Sequence, residues 1–166
     1  MDVLWAPWRM AYIGGPKDPG CIFCEKPRAA DRREVLVLAC TPAAVVMMNR
    51  FPYANGHIMV APRRHVADLG ALSTDEYAGL SEALRQSMAI LKDALGPEGL
   101  NVGMNLGRPA GAGIEDHLHW HIVPRWVGDV NFMPLIGEVR VIPEHLLAMY
   151  DRLRPAFAGL QPEDGD

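Results

Sequence analysis

Three histidines occupy alternate positions in His117-Leu118-His119-Trp120-His121, half of the chain's six histidines within five residues. A neutral imidazole carries a proton on one nitrogen and a lone pair on the other, so near pH 7 it can attack, accept or donate. Read as a strand, the segment lines His117, His119 and His121 along one face, about 7 Å apart in successive steps, with Leu118, Trp120 and Ile122 on the other. Such a row can engage one ligand at several points, and its middle member, His119, is the natural nucleophile. Alternate spacing also occurs in metal sites. However, a glycine-rich loop, Gly107-Arg108-Pro109-Ala110-Gly111-Ala112-Gly113, lies just upstream and suits anion chemistry, because glycines let backbone N–H groups approach a phosphate. The second chemical signal is Cys21-Ile22-Phe23-Cys24. Two thiolates at this spacing suit one tetrahedral ion; a redox pair is the competing reading, but no β-α-β pattern surrounds it.

The elements that must position these groups follow from periodicity and punctuation. Apolar runs at 35–39 and 43–48, parted by Thr41-Pro42, read as strand, turn, strand; 57–61 is a third strand after a loop holding Pro52, Asn55 and Gly56. Ser73 with Glu76 forms a capping box, Tyr77, Leu80, Leu84, Met88, Leu91 and Leu95 recur at helical spacing, and Gly96-Pro97 ends the helix. Strands follow at 100–106 and 117–125, then an amphipathic helix starting near Pro143 with Leu146, Leu147, Tyr150 and Leu153. The Trp-, Pro- and Gly-rich arm at 1–27 reads as irregular, and the acidic tail at 161–166 as frayed. The pattern predicts one α+β domain: arm 1–27, core 28–142, C-terminal helix 143–160, tail 161–166. Strands in runs argue a largely antiparallel sheet, whose exposed edge would need covering and so makes a dimer plausible.

Composition narrows the function classes. A chain of 166 residues with 49% hydrophobic residues can build one real core. Its net charge of −4 is a poor match for a protein that grips nucleic acid through its phosphates. No apolar run approaches the roughly 18 residues of a membrane span, and Met1-Asp2-Val3-Leu4-Trp5 lacks the features of a signal peptide. Three cysteines, an odd number, read as a reducing, cytoplasmic compartment.

With these residues in view, the chain resembles the histidine triad family of nucleotide hydrolases and transferases. Beyond the triad, Asn49-Arg50-x-Pro52-x-x-x-Gly56-His57 resembles the family's nucleotide-contact strand and loop, and Leu100-Asn101 with Asn105-x-Gly107 its ribose and phosphate side. The resemblance implies a five-stranded antiparallel sheet with two helices, paired with a second copy across a two-fold axis. It also implies that His119 attacks the α-phosphate and carries a nucleotidyl group, a step the residues support on their own terms, since attack by neutral imidazole on phosphorus gives a phosphoramidate that a second acceptor can break. A backbone carbonyl should hold the other ring nitrogen of His119. His121 would hydrogen-bond the phosphate oxygens as charge builds, and His57 would support the triad. Asn49 is expected at a ribose hydroxyl. Asn105, Gly107, Gly111 and Gly113 are expected at the phosphates.

Family members with the Cys pair complete a zinc site with a histidine after the third strand and the first triad histidine; the resemblance therefore implies a structural zinc on Cys21, Cys24, His65 and His117. Cys40 has no place in that scheme. Hydrolase branches commonly carry Gln and Ser or Thr where this chain has Gly113 and Ile114. In contrast, Leu4-Trp5-Ala6-Pro7-Trp8-Arg9-Met10-x-Tyr12, Asn101-Val102-Gly103-x-Asn105-Leu106-Gly107 and Pro124-Arg125-Trp126-x-Gly128-Asp129-x-Asn131-Phe132 resemble the bacterial diadenosine tetraphosphate phosphorylases. That implies phosphorolysis of dinucleoside polyphosphates, with inorganic phosphate as acceptor. A hydrolase of dinucleoside polyphosphates or nucleoside phosphoramidates, and a zinc-stapled nucleotide-binding module without turnover, are the alternatives.

Overall fold

A computed structural model of the chain describes residues 20–129 and 144–160. Five strands, β1 (Val37–Cys40), β2 (Ala44–Met48), β3 (Ile58–Pro62), β4 (Gly99–Met104) and β5 (Trp120–Arg125), form one sheet in the order β1-β2-β3-β5-β4. Every neighbouring pair is antiparallel. Three helices accompany it: a single turn, α1 (Ile22–Glu25), the long α2 (Thr74–Leu95), and α3 (Leu146–Leu153).

The sheet is covered on both faces, which is why β2 and β3 read as unbroken apolar runs. Ala44, Val46, Met48, Ile58 and Val60 pack under Leu80, Ala83 and Leu91 of α2 and Met149, Tyr150 and Leu153 of α3. The alternate residues Met47, Met59 and Ala61, with Val37, face Phe23 of α1. The Tyr150 hydroxyl donates to the Val37 carbonyl at 3.0 Å and ties α3 to β1. Helix α2 starts as its sequence dictates: Ser73 Oγ accepts from the Glu76 N–H, and Glu76 Oε2 accepts from the Ser73 N–H. It ends at Gly96, in the left-handed region at φ +60°. Gly56 has φ +71°, and a Cβ there would collide with Leu95 Cδ1. The absent side chain lets the end of α2 close over the turn that delivers His57 to β3.

Several boundaries differ from the sequence reading, among them that of the strand expected at 100–106, which runs Gly99–Met104. The predicted strand at 117–125 pairs only from Trp120, because β3 ends in Pro62, which has no N–H to offer. The chain there finds other partners: the Leu118 N–H donates to the Val66 carbonyl at 2.7 Å, and the Pro62 carbonyl accepts from the His117 ring. The strand expected from residue 35 begins at Val37, after Leu36 with φ +65°. The arm is not wholly irregular, since α1 makes one turn of it, and the described residues hold three helices where two were expected. The final helix, expected from Pro143, is described from its N-cap His145. Trp5, Trp8, Asn131, Phe132, Pro143 and the tail at 161–166 lie outside the described residues. Among the described residues, no helix is long and apolar enough to cross a membrane.

Candidate active site and metal centre

Although His117 and His119 precede β5, the alternation of side chains survives. Leu118 and Ile122 join the α2-side core with Trp120 against it, and the three imidazoles turn to the face that carries Phe23. Their hydrogen bonds fix where each proton sits. His119 Nδ1 lies 2.9 Å from the His117 carbonyl oxygen. A carbonyl only accepts, so Nδ1 carries the proton and Nε2 keeps its lone pair. The ring is 4% exposed, and burial, opposed by that carbonyl, lowers its pKa. His119 is therefore a neutral imidazole with a free nucleophilic nitrogen.

His121 has the opposite arrangement. The Tyr53 backbone N–H donates to His57 Nδ1 at 3.1 Å, so the proton of His57 resides on Nε2. That Nε2–H donates to His121 Nδ1 at 2.9 Å, which leaves His121 with its proton on Nε2. Burial, reinforced by neighbouring His119, pushes the His121 pKa down to about 4. The Tyr53 ring stacks on His57 at 4.9 Å and 18°. The His119 and His121 rings meet edge-on, with centroids 4.9 Å apart. A lone pair and a donor thus stand side by side.

His117 serves elsewhere. Its Nε2–H donates to the Pro62 carbonyl at 2.9 Å, and its bare Nδ1 points at Cys21 Sγ (3.2 Å) and Cys24 Sγ (3.6 Å). Cys24 Sγ also lies 3.4 Å from His65 Nδ1. The donor atoms of Cys21, Cys24, His65 and His117 all fall within 4.8 Å of one another, a cluster that could hold a metal ion. Burial, then the adjacent Cys21 thiol, raises the Cys24 pKa. A bound cation relieves that penalty, since coordination deprotonates a thiol outright. Cys40 lies at the end of β1, half-buried and outside the cluster.

The remaining predicted residues frame the triad. Asn49 Oδ1 accepts from the Phe51 N–H at 2.9 Å, and its Nδ2 lies 3.5 Å from His57 Nδ1. Asn105 Nδ2 donates to the Gly111 carbonyl at 3.4 Å. Gly107 and Gly111 take φ of +78° and +91° around a short 3-10 turn, Arg108–Ala110. The N–H groups of Ala110, Gly111 and Ala112 bond within this turn, so Gly111 shapes the loop while its N–H is already engaged. Gly113 lies in the bend between this turn and His117. Beyond His121 an open groove of about 430 Å³ runs past Tyr53, Asn101, Asn105 and Arg125. There Arg125 bonds Asn101 Oδ1 at 3.0 Å and Asp129 Oδ2 at 3.1 Å.

Two participants escaped the sequence reading. Phe23 was visible only as the apolar residue between two cysteines, and Tyr53 acts through a backbone N–H that no side-chain pattern reports.

The arrangement has relatives. The HIT domain profile matches residues 33–127, which span β1 to the end of β5. The chain belongs to the HIT domain family. It is 39% identical over 152 residues to the AP-4-A phosphorylase of Mycobacterium tuberculosis, covering 86% of this chain and 77% of that one. It is 31% identical to an adenosine 5'-monophosphoramidase of Schizosaccharomyces pombe, over 63% of this chain and 74% of that one. Among solved structures, a histidine triad nucleotide-binding protein from Sulfolobus tokodaii superposes with a TM-score of 0.65 at 26% identity, covering 84% of this chain and 93% of the other. A Zn-bound histidine triad family protein from Mycobacterium smegmatis gives 0.60 at 25% identity, over 75% and 85% of the two chains.

Proposed function

We propose that this HIT protein transfers a nucleotidyl group from a dinucleoside polyphosphate to inorganic phosphate, with diadenosine tetraphosphate as substrate. The observation that carries the reading is the pair of opposite tautomers, a bare Nε2 on His119 beside an Nε2–H on His121. The His119 lone pair forms a bond to the α-phosphorus as the bond to the bridging oxygen breaks, and ATP leaves with that bonding pair. The Nδ1–H stays on the ring, whose developing positive charge the His117 carbonyl stabilises. The Nε2–H of His121 donates to a phosphoryl oxygen as its charge grows. An oxygen of inorganic phosphate then attacks the same phosphorus, breaks the P–N bond and releases ADP. Asn49 contacts the ribose, and Asn105 with the loop at Gly107, Gly111 and Gly113 borders the phosphates. The 39% identity to a phosphorylase over most of the chain and the replacement of the hydrolases' Gln and Ser or Thr by Gly113 and Ile114 favour phosphate over water as acceptor.

Zinc fits the cysteine–histidine cluster. Tetrahedral Zn–S and Zn–N bonds separate sulfur and nitrogen donors by about 3.6 Å, against the 3.2, 3.4 and 3.6 Å observed. The Pro62 carbonyl would hold the outer proton of His117, the usual support of a ligating imidazole. Zinc there staples α1 to the sheet, and the reduced thiols it needs suit a cytoplasmic setting. Strand β4 ends the sheet, with Asn101 and Val102 exposed; we place a second copy of the chain on that edge, as a homodimer.

The deciding experiment incubates diadenosine tetraphosphate with and without inorganic phosphate. ADP and ATP should form only with phosphate. AMP and ATP at the same rate without it would make the chain a hydrolase and leave the His119 chemistry standing.

A further inference from the structure

Phe23 sits in sequence between the two cysteines of the metal cluster, and its ring is part of the sheet's second apolar cluster. It is 1% exposed and packs on Val37, Met47, Met59 and Ala61 of the sheet. It also meets two imidazoles: His117 at 5.2 Å and 55°, and His119 at 5.0 Å and 36°. The Nδ1–H bond to the His117 carbonyl holds the His119 ring at one corner but leaves its tilt to its neighbours. Phe23 bears on that ring at 5.0 Å, and His121 meets it edge-on at 4.9 Å. Phe23 in turn is held by α1, a four-residue turn whose Cys24 and Glu25 N–H groups donate to the Cys21 carbonyl. One isolated turn is unstable in water because nucleation costs more than a single turn returns. Two sets of contacts hold the turn here: Phe23 is buried against the sheet, and Cys21 and Cys24 converge on His65 and His117.

We infer that Phe23 is a positioning residue for His119, and that through it the cysteine–histidine cluster sets the orientation of the nucleophile as well as tying down the arm. The coupling reaches His119 by two routes that share one origin. His117 supplies the carbonyl that accepts from His119 Nδ1–H, and the knuckle supplies the ring that holds His119 at the tilt where this bond, and with it the single tautomer, is kept. Both routes begin at residues of the cluster. Metal occupancy and the readiness of His119 are therefore linked, and a metal-free chain can stay folded around the sheet while its nucleophile is loosely aimed. The turnover part of this inference rests on the proposed dinucleotide reaction; the tautomer part does not.

The test is Phe23→Leu, which keeps an apolar side chain and removes the ring, with Phe23→Met as a second variant able to refill the gap. In nucleotide-free protein, ring ¹⁵N resonances should report a single Nδ1–H tautomer for His119 in the wild type and a mixture in the variants. With diadenosine tetraphosphate and phosphate, kcat should fall roughly 10- to 100-fold, the scale of a misaimed reacting group. KM and bound metal should change little. Stripping the metal from wild-type protein with a chelator should give the same mixed His119 signal, and this arm decides the matter if neither variant folds. An unchanged kcat, or a raised KM at unchanged kcat, would overturn the inference, the second by making Phe23 a ligand contact. So would a His119 that keeps its single tautomer in the variants or after chelation. If the wild type does not turn over this substrate, the proposed function fails, and the tautomer readout still decides the role of Phe23.

Discussion

His117 and His121 bracket the same five-residue segment, carry their protons on the same nitrogen, Nε2, and turn opposite nitrogens to their sites. At the upstream end, the Pro62 carbonyl takes the Nε2–H of His117 and frees Nδ1 toward two sulfurs. At the downstream end, His57 donates to Nδ1 of His121 and leaves Nε2–H toward the open groove. One end offers lone pairs that could hold a cation, and the other a donor that could serve an anion. His119 stands between them, with the lone-pair arrangement that makes a nucleophile. The lesson is that the row is not three equivalent imidazoles. The partner behind each ring, a carbonyl or another imidazole, assigns its chemistry.

Breaking the middle of the row should have the largest effect. His119→Asn is expected to lower turnover on the order of 10⁴-fold, while nucleotide binding, measured by calorimetry, persists. At the downstream end, His121→Asn removes the donor and should cost about 10²- to 10³-fold in kcat. His57→Asn leaves His121 in place but unassigned, and should cost roughly 10-fold. Equal losses at His57 and His121 would mean that His57 itself touches the substrate. Cys24→Ser breaks the upstream end. It should abolish stoichiometric metal by elemental analysis and lower the melting temperature by about 10 °C, since metal binding is coupled to folding.

The buried rings also predict the direction of acid destabilisation. Burial depresses the pKa values of His117 and His119, and takes His121 down to about 4. In the unfolded chain these rings titrate near the ordinary histidine value of about 6.5. The unfolded state therefore binds protons first as pH falls. The stability they contribute is complete above about pH 6.5 and is lost progressively toward pH 4. Thermal melts from pH 7.5 to 4.5 should show that decline, and His121→Asn should flatten it. The smallest effect concerns a polar group with no partner to direct it. Ser87 Oγ is buried in α2 without a hydrogen bond, so Ser87→Ala should stabilise by about 1 kcal/mol, or a melting-point rise of about 2–4 °C. A lower melting point would mean that the hydroxyl is satisfied.

Much of the frame was legible because local signals agreed with the global fold. The capping box at Ser73 and the stop at Gly96 bounded α2, and the apolar runs of β2 and β3 announced strands. The triad and the cysteine pair were conspicuous from type and spacing alone. The start of β5 was not, since alternating side chains look the same in a paired strand and in an extended segment. Only Pro62, more than fifty residues upstream, decides where pairing stops. Helix α1 was invisible because one turn has no periodicity. Proton positions were the least accessible, because they depend on backbone atoms of Pro62, His117 and Tyr53 brought together by the sheet.

The central claim, one histidine row divided by tautomer, is tested most directly by long-range ¹H–¹⁵N correlation of the imidazoles in nucleotide-free protein at neutral pH. The account predicts the proton of His119 on Nδ1 and the protons of His57 and His121 on Nε2. The same tautomer at His119 and His121, or a His121 already protonated on both nitrogens, would contradict it.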